Sequence, residues 1–387
     1  MASIELVRVS KKFGKVQALN DISLHIKDKE FFVLFGPAGA GKTTILNIIA
    51  GIHMPESGTV KINDEIVNQV EPQNRDVAMV FENYALYPHM TVYDNIASPL
   101  RSPKHKKDEE YIKEAVERVT KLLKIDQFLT RLPVQLSNGQ RQRVALGRAL
   151  VRYPNVYLMD EPLAHLDAKL RNVMRGELKM IQSNFDTTAI YVTHDFMEAM
   201  SLSDRIAVIN EGTIVQVGTS DEIYYLPCNE FVAQLMGDPE INLLSCTLDA
   251  SGSEYAASLT SIGVDCKLPH DEEVYAKLKS YDGASLHIGV RPQNIDYSFE
   301  PMDGYVKGQV YSFETIGNKS VLTAVLGGET EVRIIAPNGL LVKLDQAVYI
   351  KINLEQTLFF CAKSTDFICR YNESAIRSLA AEKAEEV

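Results

Sequence analysis

With 387 residues, 45% of them hydrophobic and 24% charged, the chain is long enough for two or three domains with substantial cores, and nothing in this balance points to disorder over most of its length. A net charge of −11 argues against a general nucleic-acid or anionic-lipid binder, because a broad polyanion site needs clustered Lys and Arg; any membrane contact is expected to run through protein. No apolar run approaches the length of a membrane span, and Met1-Ala2-Ser3-Ile4-Glu5 lacks the basic, apolar and cleavage-site series of a signal peptide, so the protein is expected to stay in the cytosol. Cys228, Cys246, Cys266, Cys361 and Cys369 have no metal-like spacing and read as reduced packing thiols.

Short strands are expected over Ile4 to Val9, Ile22 to Ile26 and Thr59 to Ile62, broken by Gly14 and Gly58. Between them the apolar strand Phe31 to Phe35 runs into Gly36-Pro37-Ala38-Gly39-Ala40-Gly41-Lys42-Thr43, and a helix-like Thr44 to Ala50 comes next. This is the phosphate-loop pattern G-x-x-x-x-G-K-[ST] in the strand, loop and helix context it needs. Gly36, Gly39 and Gly41 let the backbone curl so that successive N–H groups point at the phosphates, and the helix N-terminus, with Thr44 in the same nucleotide-binding set, adds positive potential. Lys42 reaches the β and γ oxygens and the Thr43 hydroxyl can ligate Mg²⁺, so a nucleoside triphosphate is the expected ligand.

Further along, the basic run Lys104 to Lys107 reads as a solvated loop, and Tyr111, Ile112, Ala115, Val116, Val119, Leu122 and Leu123 recur at helical spacing from Asp108 to Lys124. Val156 to Met159 and Ala189 to Val192 read as buried parallel strands that deliver polar side chains at their C-terminal ends. The first ends in Asp160-Glu161, the arrangement of a Walker B element, in which Asp160 holds Mg²⁺ through its shell and Glu161 polarises a water aimed at the γ-phosphate. Ile206 to Ile209, the turn Asn210-Glu211-Gly212 and Thr213 to Val217 predict a hairpin, and a helix from Asp221 to about Met236 closes a first domain over residues 1–237. Beyond Gly237-Asp238-Pro239, the runs Leu286 to Val290, Val306 to Tyr311, Ser320 to Leu326, Glu331 to Ile335 and Ala347 to Ile352 predict a small all-β domain over 238–372. The tail 373–387, rich in Ala, Glu and Lys, reads as a frayed or solvent-facing helix.

Several motifs in this order carry a family resemblance. Leu136-Ser137-Asn138-Gly139-Gln140-Arg141-Gln142-Arg143 resembles the signature motif of ABC ATPases. Asp160-Glu161-Pro162-Leu163-Ala164-His165-Leu166-Asp167 is similar to the family's Walker B and D-loop, Val192-Thr193-His194-Asp195 to its switch strand and histidine, and Phe81 to Met90 to the Q-loop region of importers for sugars and related solutes. Phe13 stands at the position of the adenine-stacking aromatic. Gly289-Val290-Arg291-Pro292-Gln293-Asn294-Ile295 resembles part of the C-terminal regulatory domain of the maltose, glycerol-phosphate and polyol importer ATPases.

The resemblance implies an α/β P-loop nucleotide-binding domain with antiparallel β and helical subdomains, followed by an all-β, OB-like regulatory domain. It implies ATP and Mg²⁺ as ligands and two nucleotide domains facing each other head to tail. Ser137 and the Gly139 N–H would then contact the γ-phosphate bound by the partner's Lys42, with Gln140 in the same set, and Asp167 would communicate across the interface. Glu161 would act as general base and His194 would hold the attacking water and γ-phosphate in line. The implied partners are two transmembrane permease subunits, a short helix of which meets Tyr84 to His89, and an extracytoplasmic solute-binding protein; the place of work is the cytoplasmic side of the inner membrane. His165, where the family has Asn or a small residue, reads as an interface residue.

Two positions depart from the family pattern. Glu82 replaces the Q-loop glutamine, keeping a carboxyl oxygen able to face Mg²⁺ but losing the amide donor, and Asn138 replaces the first signature glycine, where it would tolerate a left-handed backbone. Together they motivate pairing with a second, different ATPase subunit as an alternative to a homodimer. The function implied is the energy-coupling ATPase of an importer for a sugar, polyol or glycerol-phosphate-like solute. The alternatives are the ATPase of a polyamine or ferric-ion importer, a soluble ABC ATPase working on DNA or ribosomes, and a regulator that never turns over.

Overall fold

The structure, a computed structural model, describes residues 2–184, 187–317 and 319–385. It divides into two compact units, one up to Ser220 and one from Asp221. In the first, β1 (Ile4–Phe13), β2 (Val16–Ile26), β3 (Phe31–Phe35), α1 (Lys42–Ala50), β4 (Ser57–Ile62), β5 (Glu65–Ile66), β6 (Val77–Val80), α2 (Val92–Arg101), α3 (Glu109–Leu122) and α4 (Asn138–Leu150) are followed by β7 (Val156–Asp160), α5 (Ala168–Asn184), β8 (Thr188–Thr193), α6 (Phe196–Leu202), β9 (Arg205–Asn210) and β10 (Thr213–Gly218).

The central sheet has the order β10-β9-β3-β8-β7-β6, with β10 antiparallel to β9 and the remaining neighbours parallel. β3, β7 and β8 are buried at every position, which is why they read as unbroken apolar runs rather than as alternation. A second, antiparallel sheet, β2-β1-β4-β5, contributes Ile4, Ile22 and Val60 to a core shared with Phe32, Leu34 and Ile45. β1 and β2 are longer than their sequence suggests: the ladder slips register between Leu6 and Val9, and Arg8 and Asp21 take positive φ, so the alternation that marks a strand is interrupted. α3 begins at Glu109 because Asp108 caps it, accepting the Tyr111 N–H at 2.8 Å.

The second unit contains α7 (Ser220–Tyr225, its first residue on the dividing line), α8 (Glu230–Leu235), β11 (Asn242–Asp249), β12 (Ala256–Leu259), β13 (Val264–Lys267), α9 (Glu272–Leu278), β14 (Ser285–Val290), β15 (Ile295–Ser298), β16 (Val306–Ile316), β17 (Lys319–Leu326), β18 (Thr330–Ala336), β19 (Ala347–Ile352), β20 (Leu358–Cys361), β21 (Phe367–Arg370) and α10 (Glu373–Glu385). Its antiparallel sheets, β13-β12-β11-β14-β20-β21 and β15-β19-β16-β17-β18, share a core around Leu244, Ile288, Leu322, Ile334 and Phe359. This is the expected OB-like antiparallel architecture, with the short α9 added to it.

Three sequence expectations are corrected here. The single helix expected from Asp221 to Met236 is two, α7 and α8, because Pro227 has no N–H to continue a helix and Asn229 restarts one by accepting the Val232 N–H at 3.0 Å. Arg291 donates to the carbonyls of Tyr224 and Ala233, each at 2.9 Å, and to that of Met236, so this segment belongs to the second unit and the compact division falls at Ser220 rather than after Gly237. The tail helix α10 is anchored at its start: Glu373 is 3% exposed and receives hydrogen bonds from Lys277 and Arg377, and Ala380 is buried as well. Residues 386 and 387 of that tail lie outside the described residues. None of the five cysteines forms a disulfide, and burial pushes the Cys246 and Cys369 thiols up to about 12.

Candidate functional site

Adjacent parallel strands β3, β8, β7 and β6 all end at one edge of the sheet, and the residues just past those ends make up the site: the glycine loop after β3, His194 after β8, Glu161 after β7 and Glu82 after β6. Gly36 leaves β3 where a Cβ would lie 2.2 Å from the Ile209 carbonyl oxygen, and Gly41, at φ 105°, stands at the N-cap of α1, so both places admit only glycine. Gly39 also has positive φ but faces open space. Lys42 is buried, and its Nζ donates to the Gly36 and Pro37 carbonyls at 2.8 Å each. Burial lowers its pKa, opposed by the charges of Glu161, Asp160 and Glu82. Thr44 is half-exposed in the first turn of α1.

Beside the loop, the Thr43 hydroxyl donates to Asp160 Oδ1 at 3.1 Å. Burial pushes the Asp160 carboxyl up to about 6; the Thr43 hydrogen bond and the Lys42 charge oppose this, and the Glu82 and Glu161 charges add to it. Glu161 has φ 43°, a left-handed backbone that costs a residue with a side chain about 1–3 kcal/mol and is held in place by its surroundings. Its N–H donates to the Val192 carbonyl at 3.1 Å, and its Oε1 lies 2.9 Å from His194 Nδ1. Hard oxygens on Thr43 and Asp160 suit a small divalent cation completed by phosphate oxygens and water.

Apart from Gln142, the signature segment engages its own helix and the D-loop rather than that cluster. Ser137 caps α4, its hydroxyl accepting the Gln140 N–H at 3.3 Å while Gln140 Oε1 accepts the Ser137 N–H at 3.0 Å. Asn138 takes the first helical position without positive φ, so the left-handed backbone considered for it is not required. A Cβ on Gly139 would come within 3.1 Å of the His165 carbonyl oxygen. Asp167 accepts the Leu170 N–H at 2.9 Å and lies 3.7 Å from Arg143. Phe13, 44% exposed at the end of β1, is not a core residue; it meets the His53 ring edge-on at 5.2 Å.

Two residues on α4 have roles that the sequence did not suggest. Gln142 Nε2 donates to the Glu161 carbonyl at 3.2 Å and its Oε1 accepts the His165 N–H at 3.0 Å. Arg148 donates to the carbonyls of Ala85, at 2.8 Å, and Tyr84, and lies over the Tyr87 ring. Arg148, Phe81, Ala85, Tyr87 and Ser98 line a groove of about 1010 Å³. Of the segment Tyr84 to His89, Ala85 and Tyr87 line it, while the Tyr84 ring meets His165 edge-on at 5.7 Å.

A parallel sheet with a phosphate loop, a strand-end acid pair and a facing histidine defines a P-loop ATPase of the ABC type. A profile described as ABC transporter matches residues 19–164. The chain is 52% identical over 331 residues to the sn-glycerol-3-phosphate import ATP-binding protein UgpC of Brucella abortus, covering 84% of this chain and 88% of that one. It is 46% identical over 345 residues to the trehalose/maltose import ATP-binding protein MalK of Thermococcus litoralis, covering 85% and 90%. Among solved structures, the dimeric ABC transporter cassette MJ0796 matches with a TM-score of 0.53 and 30% identity over 56% of this chain and 98% of that chain, and a second structure of it holds ADP and Pi. The chain belongs to the ABC transporter family, among the ATP-binding, ATP-hydrolysing subunits that couple energy to import.

Proposed function

We propose that this subunit drives an importer for a sugar, polyol or glycerol-phosphate-like solute and works as a nucleotide sandwich with a second copy or a second ATPase subunit. The solute class rests on the names of the relatives, and the sandwich on the dimeric cassette the first unit resembles. The observation that carries the chemistry is the Glu161–His194 pair at 2.9 Å beside the Thr43–Asp160 pair at 3.1 Å.

In this reading Phe13 stacks on adenine, and the amides around Gly36, Gly39 and Gly41, with Lys42 and Thr44, hold the phosphates. Thr43, Asp160 and Glu82 hold Mg²⁺, which supplies charge neutralisation at the phosphate oxygens. Glu161 takes the proton of the attacking water and His194 fixes its carboxylate. Ser137, Gly139 and Gln140 complete the nucleotide site of the facing subunit, and Asp167 carries the signal across.

Arg148 holds the Q-loop carbonyls along the 1010 Å³ groove, where a short helix of one permease subunit would sit. No helix among the described residues is long and apolar enough to cross a membrane, in keeping with a peripheral subunit on the cytoplasmic face of the inner membrane. An extracytoplasmic binding protein would deliver the solute, and the second, antiparallel unit would serve dimerisation and regulation. The test is a tagged pull-down from detergent-solubilised membranes. Two co-purifying membrane subunits and solute-stimulated ATP hydrolysis in the assembled complex are expected; recovery of soluble partners alone would overturn the importer assignment.

A further inference from the structure

Gln142 is 2% exposed and spends both ends of its amide on backbone. Nε2 donates to the Glu161 carbonyl at 3.2 Å and Oε1 accepts the His165 N–H at 3.0 Å. The residue it grips is a strained one, since Glu161 sits at φ 43°. From the other side the Glu161 N–H is held by the carbonyl of Val192, on the strand that leads into His194. The backbone of Glu161 is thus clamped between the switch strand and the signature helix. A residue in the left-handed region sends its side chain in a direction that a right-handed one does not, and release of the clamp would let the carboxylate swing away from His194. Glutamine suits the task because one neutral side chain supplies both a donor and an acceptor, with no buried charge to stabilise.

We propose that Gln142 is a positioning residue for ATP hydrolysis: from the helix that carries Ser137 it fixes the left-handed backbone of Glu161, aiming the carboxylate, and ties the D-loop at His165 to the same helix. The inference rests on the reading of Glu161 as general base. A purely structural Gln142, one that only packs α4 against the loop, predicts lower stability with unchanged chemistry.

A double-mutant cycle on the full chain separates these. Gln142→Met keeps the length and removes both hydrogen bonds. It should lower kcat by about 10²-fold, the cost of a misplacement near 1 Å, with KM for MgATP within about twofold. In a Glu161→Gln chain the same substitution should change the residual single-turnover rate by less than about twofold, because the group it positions is already gone. A wild-type kcat for Gln142→Met, or an equal loss with and without Glu161, overturns the proposal. Gln142→Asn, which keeps the amide but shortens its reach, runs the same cycle if the Met variant fails to fold. If the wild-type rate proves independent of Glu161, it is the general-base reading that falls, and the single variant shows this before the cycle is closed.

Discussion

Acids meet opposite surroundings in the two units. At the strand ends of the first, Glu82, Asp160 and Glu161 crowd toward Lys42, and burial reinforced by its acidic neighbours lifts the Asp160 carboxyl to about 6. In the second, Glu373 is just as buried, but its hydrogen bonds from Lys277, at 2.9 Å, and Arg377, at 2.8 Å, outweigh burial and hold its carboxyl below the usual range. One cluster gathers like charge around a single lysine; the other is neutralised where it stands. The contrast marks the first cluster as a candidate site without reference to any motif.

The largest effect expected from breaking this contrast is Glu161→Gln, which should cut phosphate release by about 10²–10⁴-fold while ATP binding persists. In the second unit, Lys277→Met removes one donor to a buried carboxylate and should lower stability by about 1.5–3 kcal/mol in a denaturant titration. The Glu373 contribution also has a pH signature. Because its folded pKa is depressed, its stabilisation is complete above the ordinary carboxylate range and is lost as pH falls through the depressed value; Glu373→Gln should flatten that acid limb of the melting curve. The smallest effect is Glu82→Gln, at an exposed position of the crowded site, which should shift the Mg²⁺ concentration for half-maximal hydrolysis by about two- to fivefold. An unchanged Mg²⁺ dependence there would remove Glu82 from the metal set.

How much the sequence disclosed depends on how locally each feature is encoded. The glycine loop, the buried strands and the Asp160-Glu161 end were legible because backbone geometry and chemistry sit in consecutive residues. The break at Pro227 was equally local and was outweighed by apolar spacing on either side of it. The β1–β2 ladder was obscured by bulges at Arg8 and Asp21 that disturb alternation. Gln142 stands inside the signature motif with no role legible there, and Arg148 is not singled out at all, since their partners Glu161, His165, Tyr84 and Ala85 are distant in the chain.

The central claim is that the strand-end site is one half of a shared ATPase centre. It is tested most directly by sedimentation of the Glu161→Gln chain with and without MgATP, beside the same chain carrying Ser137→Arg. An ATP-dependent dimer that the signature substitution abolishes is the predicted result; a chain that binds ATP yet stays monomeric, or a dimer indifferent to both ATP and Ser137, would contradict it.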